Sequence, residues 1–172
     1  ILNKKKVKKD NLILAIPSNG IHSNGYSLVR SIIKRNKLTS QLQRELLKPT
    51  KIYVKEIMNL ISKSLINGCA NITGGGLGDN IKRVVPDNLV ADIDLSKIKT
   101  LKIFNWLKKC GVSENEMLKT FNCGIGFCLI INKKNLNKIQ SYFSKDYKPY
   151  VIGKIIKGKN KVKLNGSINW NK

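Results

Sequence analysis

Apolar positions along the chain switch repeatedly between short continuous runs and a spacing of three to four residues. The run at residues 11–17 has the length and continuity of a strand buried on both faces, and Ser18, Asn19 and Gly20 end it. Leu28, Val29, Ile32 and Ile33 then recur at helical spacing and predict an amphipathic helix over residues 25–36. A short helix is expected at residues 41–47, and Ile57, Leu60, Ile61 and Leu65 predict a longer one over residues 51–66, ended by Gly68. Residues 69–72 read as a strand running into Thr73, Gly74, Gly75 and Gly76, with a short helix over residues 77–85 before Pro86. Residues 89–95 read as a strand. Ile103, Trp106, Leu107 and Cys110 put one helical face on the core, and Ser113 followed by Glu116 is a capping box opening the next helix. A strand at residues 124–131, a helix marked by Leu136, Ile139 and Phe143, and two closing strands at residues 150–157 and 161–164 complete the pattern.

Strands alternating with helices predict an α/β fold: a layered domain with a mixed β-sheet flanked by helices, the mixture expected because the closing strands are joined by so short a link. Residues 1–172 are read as a single domain, since 172 residues bury a sizeable core without disulfides or metal. The chain begins at Ile1 rather than Met, as a fragment, a trimmed chain or a processed one would. No apolar run approaches the length of a membrane span, and the lysine-rich start lacks the apolar core of a secretory signal, so a cytoplasmic protein without membrane contact is expected.

The charge is extreme, +23 from 33 basic and 10 acidic side chains. Such a balance ordinarily points to nucleic acid. Only Arg30, Arg35, Arg44 and Arg83 are arginine, however, and the other 29 basic residues are lysine. Lys, Asn and Ile share A/T-rich codons, so a biased genome produces the same composition without a binding function. Base recognition favours arginine and stacking aromatics, and aromatics make up only 6% of the chain. Nucleic acid is therefore the lesser expectation. Cys69, Cys110, Cys123 and Cys128 form no C-x-x-C pair and read as reduced, mostly buried thiols. Asp92 and Asp94 alternate on one predicted strand and could share Mg²⁺, but an exposed strand edge explains them as well, and no metal ligand is assigned.

Two segments share one design, a strand, a glycine-bearing polar turn and a helix. In the first, His22, Ser23, Asn24 and Gly25 lead into a helix whose free N–H groups and positive end attract a phosphate. The same positive end would keep His22, the chain's single histidine, neutral and suited to donate a hydrogen bond or shuttle a proton. The plainer alternative is that Ser23 or Asn24 caps the helix and His22 lies on the surface. In the second, Thr73, Gly74, Gly75 and Gly76 precede Leu77, Gly78, Asp79 and Asn80. Three consecutive glycines lose much entropy on folding, and close approach to an anion is the usual reason for them. The segment is neither a Walker A loop nor a dinucleotide fingerprint, and a tight strand-to-helix turn is the alternative.

Read together and in order, Ile16-Pro17-Ser18-Asn19-Gly20-Ile21-His22-Ser23-Asn24-Gly25-Tyr26-Ser27-Leu28-Val29-Arg30, the stretch from Leu46 through Pro49-Thr50 to Lys55, Ile72-Thr73-Gly74-Gly75-Gly76, Asn80 to Pro86, and Thr120-Phe121-Asn122-Cys123-Gly124-Ile125-Gly126 resemble the motifs of the phosphoribosylformylglycinamidine cyclo-ligases, the aminoimidazole ribonucleotide synthetases. In that family these motifs belong to the C-terminal domain. The resemblance implies a cytosolic homodimeric enzyme of purine biosynthesis. Such an enzyme uses ATP to activate the formyl oxygen of formylglycinamidine ribonucleotide so that an internal nitrogen closes the imidazole ring. It also implies that ATP, Mg²⁺ and the dimer contact come mainly through an N-terminal domain with no counterpart in these residues. Carried over by position, Ser23, Asn24, Gly25, Thr73, Gly74, Gly75, Gly76 and Asn80 contact substrate or phosphate, and His22 is the candidate catalytic residue. Asn71 stands where the family often has His, and Lys82 where it has Pro; Asn keeps one hydrogen bond but cannot titrate near neutrality. A stand-alone anion- or nucleotide-binding module without turnover is the alternative function.

Overall fold

The computed structural model describes residues 2–171, so the terminal residues of the expected domain, Ile1 and Lys172, lie outside the described residues. Among the described residues six strands form one sheet: β1 (Leu12–Pro17), β2 (Ile66–Asn71), β3 (Leu89–Asp94), β4 (Ile125–Ile131), β5 (Tyr150–Lys157) and β6 (Lys161–Asn165). Their spatial order is β2-β4-β1-β5-β3-β6, antiparallel throughout except for the parallel pair β3 and β6. Seven α-helices cover it: α1 (Tyr26–Ile33), α2 (Ser40–Leu46), α3 (Val54–Ser62), α4 (Gly76–Lys82), α5 (Lys102–Lys109), α6 (Glu114–Thr120) and α7 (Leu136–Gln140).

β1 shows why the sheet is buried on both sides. Its side chains alternate: Ile13 and Ala15 join a core with Val29, Leu77, Ile81, Phe104, Leu107, Met117 and Phe121. Leu14 and Ile16 join another with Ile57, Leu60, Leu129, Ile131 and Ile139. Helices α1, α2, α4, α5 and α6 therefore contribute to one face and α3 and α7 to the other. The continuous apolar runs at β1 and β4 are the sequence mark of strands covered on both faces.

Three expectations need correction. The helix expected over residues 51–66 is only α3. Ser64 turns left-handed (φ 53°), its amide bonds Ile61 O and the Leu65 amide bonds Leu60 O. This is a Schellman ending with Ser in the position usually held by Gly. Gly68 then sits inside β2, opposite Ile130. Secondly, the closing strands do not pair with each other. β3 lies between β5 and β6, so the mixed character comes from a parallel neighbour rather than a terminal hairpin. Thirdly, Asp92 and Asp94 are not on an edge. Asp92 accepts from Asn165 Nδ2 at 2.7 Å, and Asp94 caps the following turn through the Ser96 amide at 3.0 Å.

Candidate functional site

Both glycine-bearing turns lie at strand ends and lead into helices on the same face of the sheet. After β1, the chain makes a tight loop in which His22 (φ 50°), Ser23 (φ 60°) and Gly25 (φ 72°) are all left-handed. Two adjacent non-glycine residues there are strained, and their neighbours hold them in place. Asn24 Nδ2 donates to His22 O at 2.9 Å, and the Asn24 amide bonds Ile21 O. Neither Ser23 nor Asn24 caps α1: Gly25 is the N-cap and makes no side-chain bond.

A second layer of bonds fixes the loop from outside. Asn122, buried at 1% exposure, donates to Gly20 O at 2.9 Å and accepts from Ser18 Oγ at 3.0 Å and the Gly124 amide at 2.8 Å. From the start of α3, Tyr53 donates to Pro17 O at 2.8 Å, and its ring centroid lies 6.0 Å from that of His22. Lys51 holds Glu56 at 3.2 Å, and its ammonium lies 4.2 Å from the Tyr147 ring centroid and 5.3 Å from that of Tyr53. His22 is 7% exposed, and burial draws its pKa down to about 4, so the imidazole is neutral near pH 7. Burial, rather than a helix end, is the cause.

After β2, the Thr73 to Gly76 loop is tied by Asn80. Its Nδ2 reaches Gly76 O at 2.7 Å, Thr73 O at 3.2 Å and Gly74 O at 3.3 Å, while its Oδ1 accepts from Thr73 Oγ1 at 3.1 Å. Asn80 is 3% exposed, so its amide faces the loop's carbonyls. Gly75 (φ 92°) is the N-cap of α4, again without a side-chain bond. Asn71 is exposed at the end of β2.

The two turns meet. A Cβ built on Gly74 would lie 3.7 Å from Asn24 Oδ1, with no other non-adjacent atom within 4 Å. Behind them stands one wall, the end of α6: a Cβ on Gly25 would collide with the Phe121 ring, and one on Gly76 with the carbonyl of Leu118. The structure thus brings His22, Ser23, Asn24 and Gly25 together with Thr73, Gly74, Gly75, Gly76 and Asn80. Asn19, Lys51, Tyr53 and Asn122 complete the neighbourhood. No periodic signal in the sequence marks them, because Asn19, Tyr53 and Asn122 bond backbone groups and Lys51 pairs with Glu56; their places inside the ordered motifs are the only pointer.

Among the described residues no three His, Cys, Asp or Glu side chains gather where a metal ion could be held. The four cysteines are free. A cleft of about 660 Å³ lined by Lys4, Lys5, Lys8, Lys9, Asp87 and Lys157 contains none of the candidate residues, and among the described residues no helix is long and apolar enough to cross a membrane.

A layered α/β domain with two facing glycine turns on one side of a mixed sheet is the class that the fold and site define. The chain belongs to the family described as AIR synthase related protein, C-terminal domain, which matches residues 8–165. It is 41% identical over 166 residues to a phosphoribosylformylglycinamidine cyclo-ligase of Streptococcus agalactiae serotype Ia, covering 91% of this chain and 48% of that protein. It is 40% identical over 172 residues to the protein of the same name from Prochlorococcus marinus subsp. pastoris, covering 93% and 50%. The chain spans about half the length of the curated relatives it matches. Its fold is shared with Escherichia coli HypE, a hydrogenase maturation protein (TM-score 0.68, 14% identity, 96% of this chain and 49% of that one). It is shared also with thiamine-monophosphate kinase from Stenotrophomonas maltophilia (TM-score 0.66, 15% identity, 96% and 53%).

Proposed function

We propose that this chain forms the C-terminal half of a phosphoribosylformylglycinamidine cyclo-ligase, the enzyme that closes the imidazole ring of aminoimidazole ribonucleotide during purine biosynthesis. The observation that carries the proposal is the approach of Gly74 to Asn24, which brings two helix entrances without side-chain caps next to each other. Amides so arranged stabilise negative charge without reorganising, and phosphoryl chemistry depends mainly on such positioning and electrostatics.

In this reading the Gly74 and Gly75 amides receive the anionic part of formylglycinamidine ribonucleotide, and Asn24 Oδ1, which faces Gly74, accepts from one of its N–H or O–H groups. The exposed Ser23 hydroxyl adds a polar contact, and Gly25 lets the α1 entrance approach. Thr73, Gly76 and Asn80 keep the second turn in shape, and His22 lies where it can touch the reacting end. ATP, when bound, supplies the phosphoryl group that activates the formyl oxygen. The unbonded Gly74 and Gly75 amides, beside a space that a Cβ would fill, suit a phosphate, whereas among the described residues no side chains gather for Mg²⁺. The nucleotide, the metal and the homodimer contact are assigned mainly to the other half of the enzyme, and its location to the cytoplasm.

The test joins this chain with the N-terminal half of the Streptococcus agalactiae cyclo-ligase. ADP release that depends on formylglycinamidine ribonucleotide is expected. A folded, stoichiometric complex that releases no ADP would overturn the proposal.

A further inference from the structure

The carboxamide of Asn19 is fixed from two sides, because its Nδ2 donates to Pro49 O at 2.9 Å and its Oδ1 accepts from the Lys51 amide at 3.2 Å. Exchanging its oxygen and nitrogen would break both bonds, so the orientation is decided by the backbone of residues 49–51. Oδ1 consequently faces His22 Nε2, at 2.7 Å. An oxygen acceptor at that distance requires the hydrogen to be on Nε2. The Asn19 amide also lies 3.3 Å from Nε2, but a nitrogen that carries the hydrogen cannot accept another, and the shorter contact to a doubly anchored oxygen decides between them. Nδ1 is left as the lone-pair nitrogen, with no hydrogen-bond partner among the described residues.

We infer that Asn19 is a positioning residue which locks His22 in the Nε2–H tautomer, so that His22 offers Nδ1 to the substrate as an acceptor for an N–H group. The lock stands on the geometry alone, whereas the acceptor role rests on the proposed function. With burial holding the ring neutral near pH 7, His22 takes a hydrogen bond from the substrate's amidine or amide nitrogen and brings no proton of its own to a phosphate. The groups packed around the ring agree with a neutral imidazole. Tyr53 lies across from it with its hydroxyl engaged by Pro17, and Lys51 on the same segment is paired with Glu56. From β4 Gly126, which has no side chain, approaches Cε1.

Because His22 is the chain's single histidine, its imidazole nitrogens can be followed by ¹⁵N NMR without ambiguity. The unmodified chain is expected to show Nε2 protonated and Nδ1 bare at pH 7. A spectrum with Nδ1 protonated, or with the two forms mixed, would overturn the lock with no variant needed. Asn19→Asp puts a carboxylate against Nε2–H and should raise the titration midpoint from about 4 toward 6.5 or above. A midpoint that stays near 4 in a folded Asn19→Asp chain would also overturn it. In the two-part enzyme, Asn19→Asp should shift the acid limb of the kcat/KM profile upward by the amount seen in the NMR titration. An active enzyme whose profile does not move removes the acceptor role. The NMR arm needs no turnover, so it still reads the lock if the proposed enzymatic function fails.

Discussion

Gly74 and Gly76 are two residues apart and meet different demands. At Gly76 the backbone is left-handed (φ 64°) and a side chain would collide with the Leu118 carbonyl, so Gly76→Ala should destabilise by more than about 2 kcal/mol. At Gly74 φ is outside the left-handed region, and a methyl group would meet only Asn24 Oδ1 at ordinary contact distance. Gly74→Ala should therefore keep its stability within about 1 kcal/mol while weakening the binding of formylglycinamidine ribonucleotide roughly tenfold in the two-part enzyme. Thermal melts set beside a titration would separate the two, and equal losses in both would place Gly74 with the fold. The glycine run is conspicuous in the sequence, but which glycine has room for a side chain depends on an α6 carbonyl some forty residues away. His22 carries a second prediction at this scale. Its pKa is lowered on folding, so the unfolded chain binds the extra proton first, and stability falls as pH drops from about 6.5 to about 4. The loss approaches about 3 kcal/mol below that window. His22→Asn should remove this part of the slope, as measured by denaturant titrations at pH 7 and pH 4.5.

Element boundaries were legible wherever the signal was local. The strands at β1, β4 and β5 and the start of α6 follow from continuous apolar runs and a capping serine, and Ser113 Oγ does accept from the Glu116 amide, at 3.2 Å. Only half of the capping box forms, because the Glu116 carboxylate instead accepts from Thr120. Ser113→Ala is expected to cost about 1 kcal/mol. The end of α3 was not legible. A Schellman turn built on Ser64 lacks the glycine that announces one, and the helical spacing ran on through Leu65. Ser64→Gly relieves the left-handed strain at that position, and a stabilisation of about 0.5–1 kcal/mol by denaturant unfolding is the expected result. No local pattern could place β3 between β5 and β6, since strand order follows from packing over the whole sheet.

For the molecule as a whole, the double-sided core explains the behaviour of its thiols. Cys123 and Cys128 are buried and Cys69 and Cys110 half-buried, and loss of solvation raises all four thiols. An aromatic disulfide reagent should modify two of the four cysteines in the native chain and all four after unfolding. The charge is the other whole-molecule trait. The lysine-dense stretch near the start meets Lys157 around one cleft, a convergence that composition gives no sign of. The candidate site was only partly legible for the same reason. Its residues were recognisable as motifs, but their meeting depends on chain folding that brings Asn24 against Gly74.

The end of α6 touches both glycine turns, at Gly25 through the Phe121 ring and at Gly76 through the Leu118 carbonyl. Neither turn can shift without pressing on that short stretch. A molecule gripped between the turns would accordingly quieten a helix end it never touches, and deuterium uptake at the backbone of residues 118–121 would slow together with that of the turns themselves.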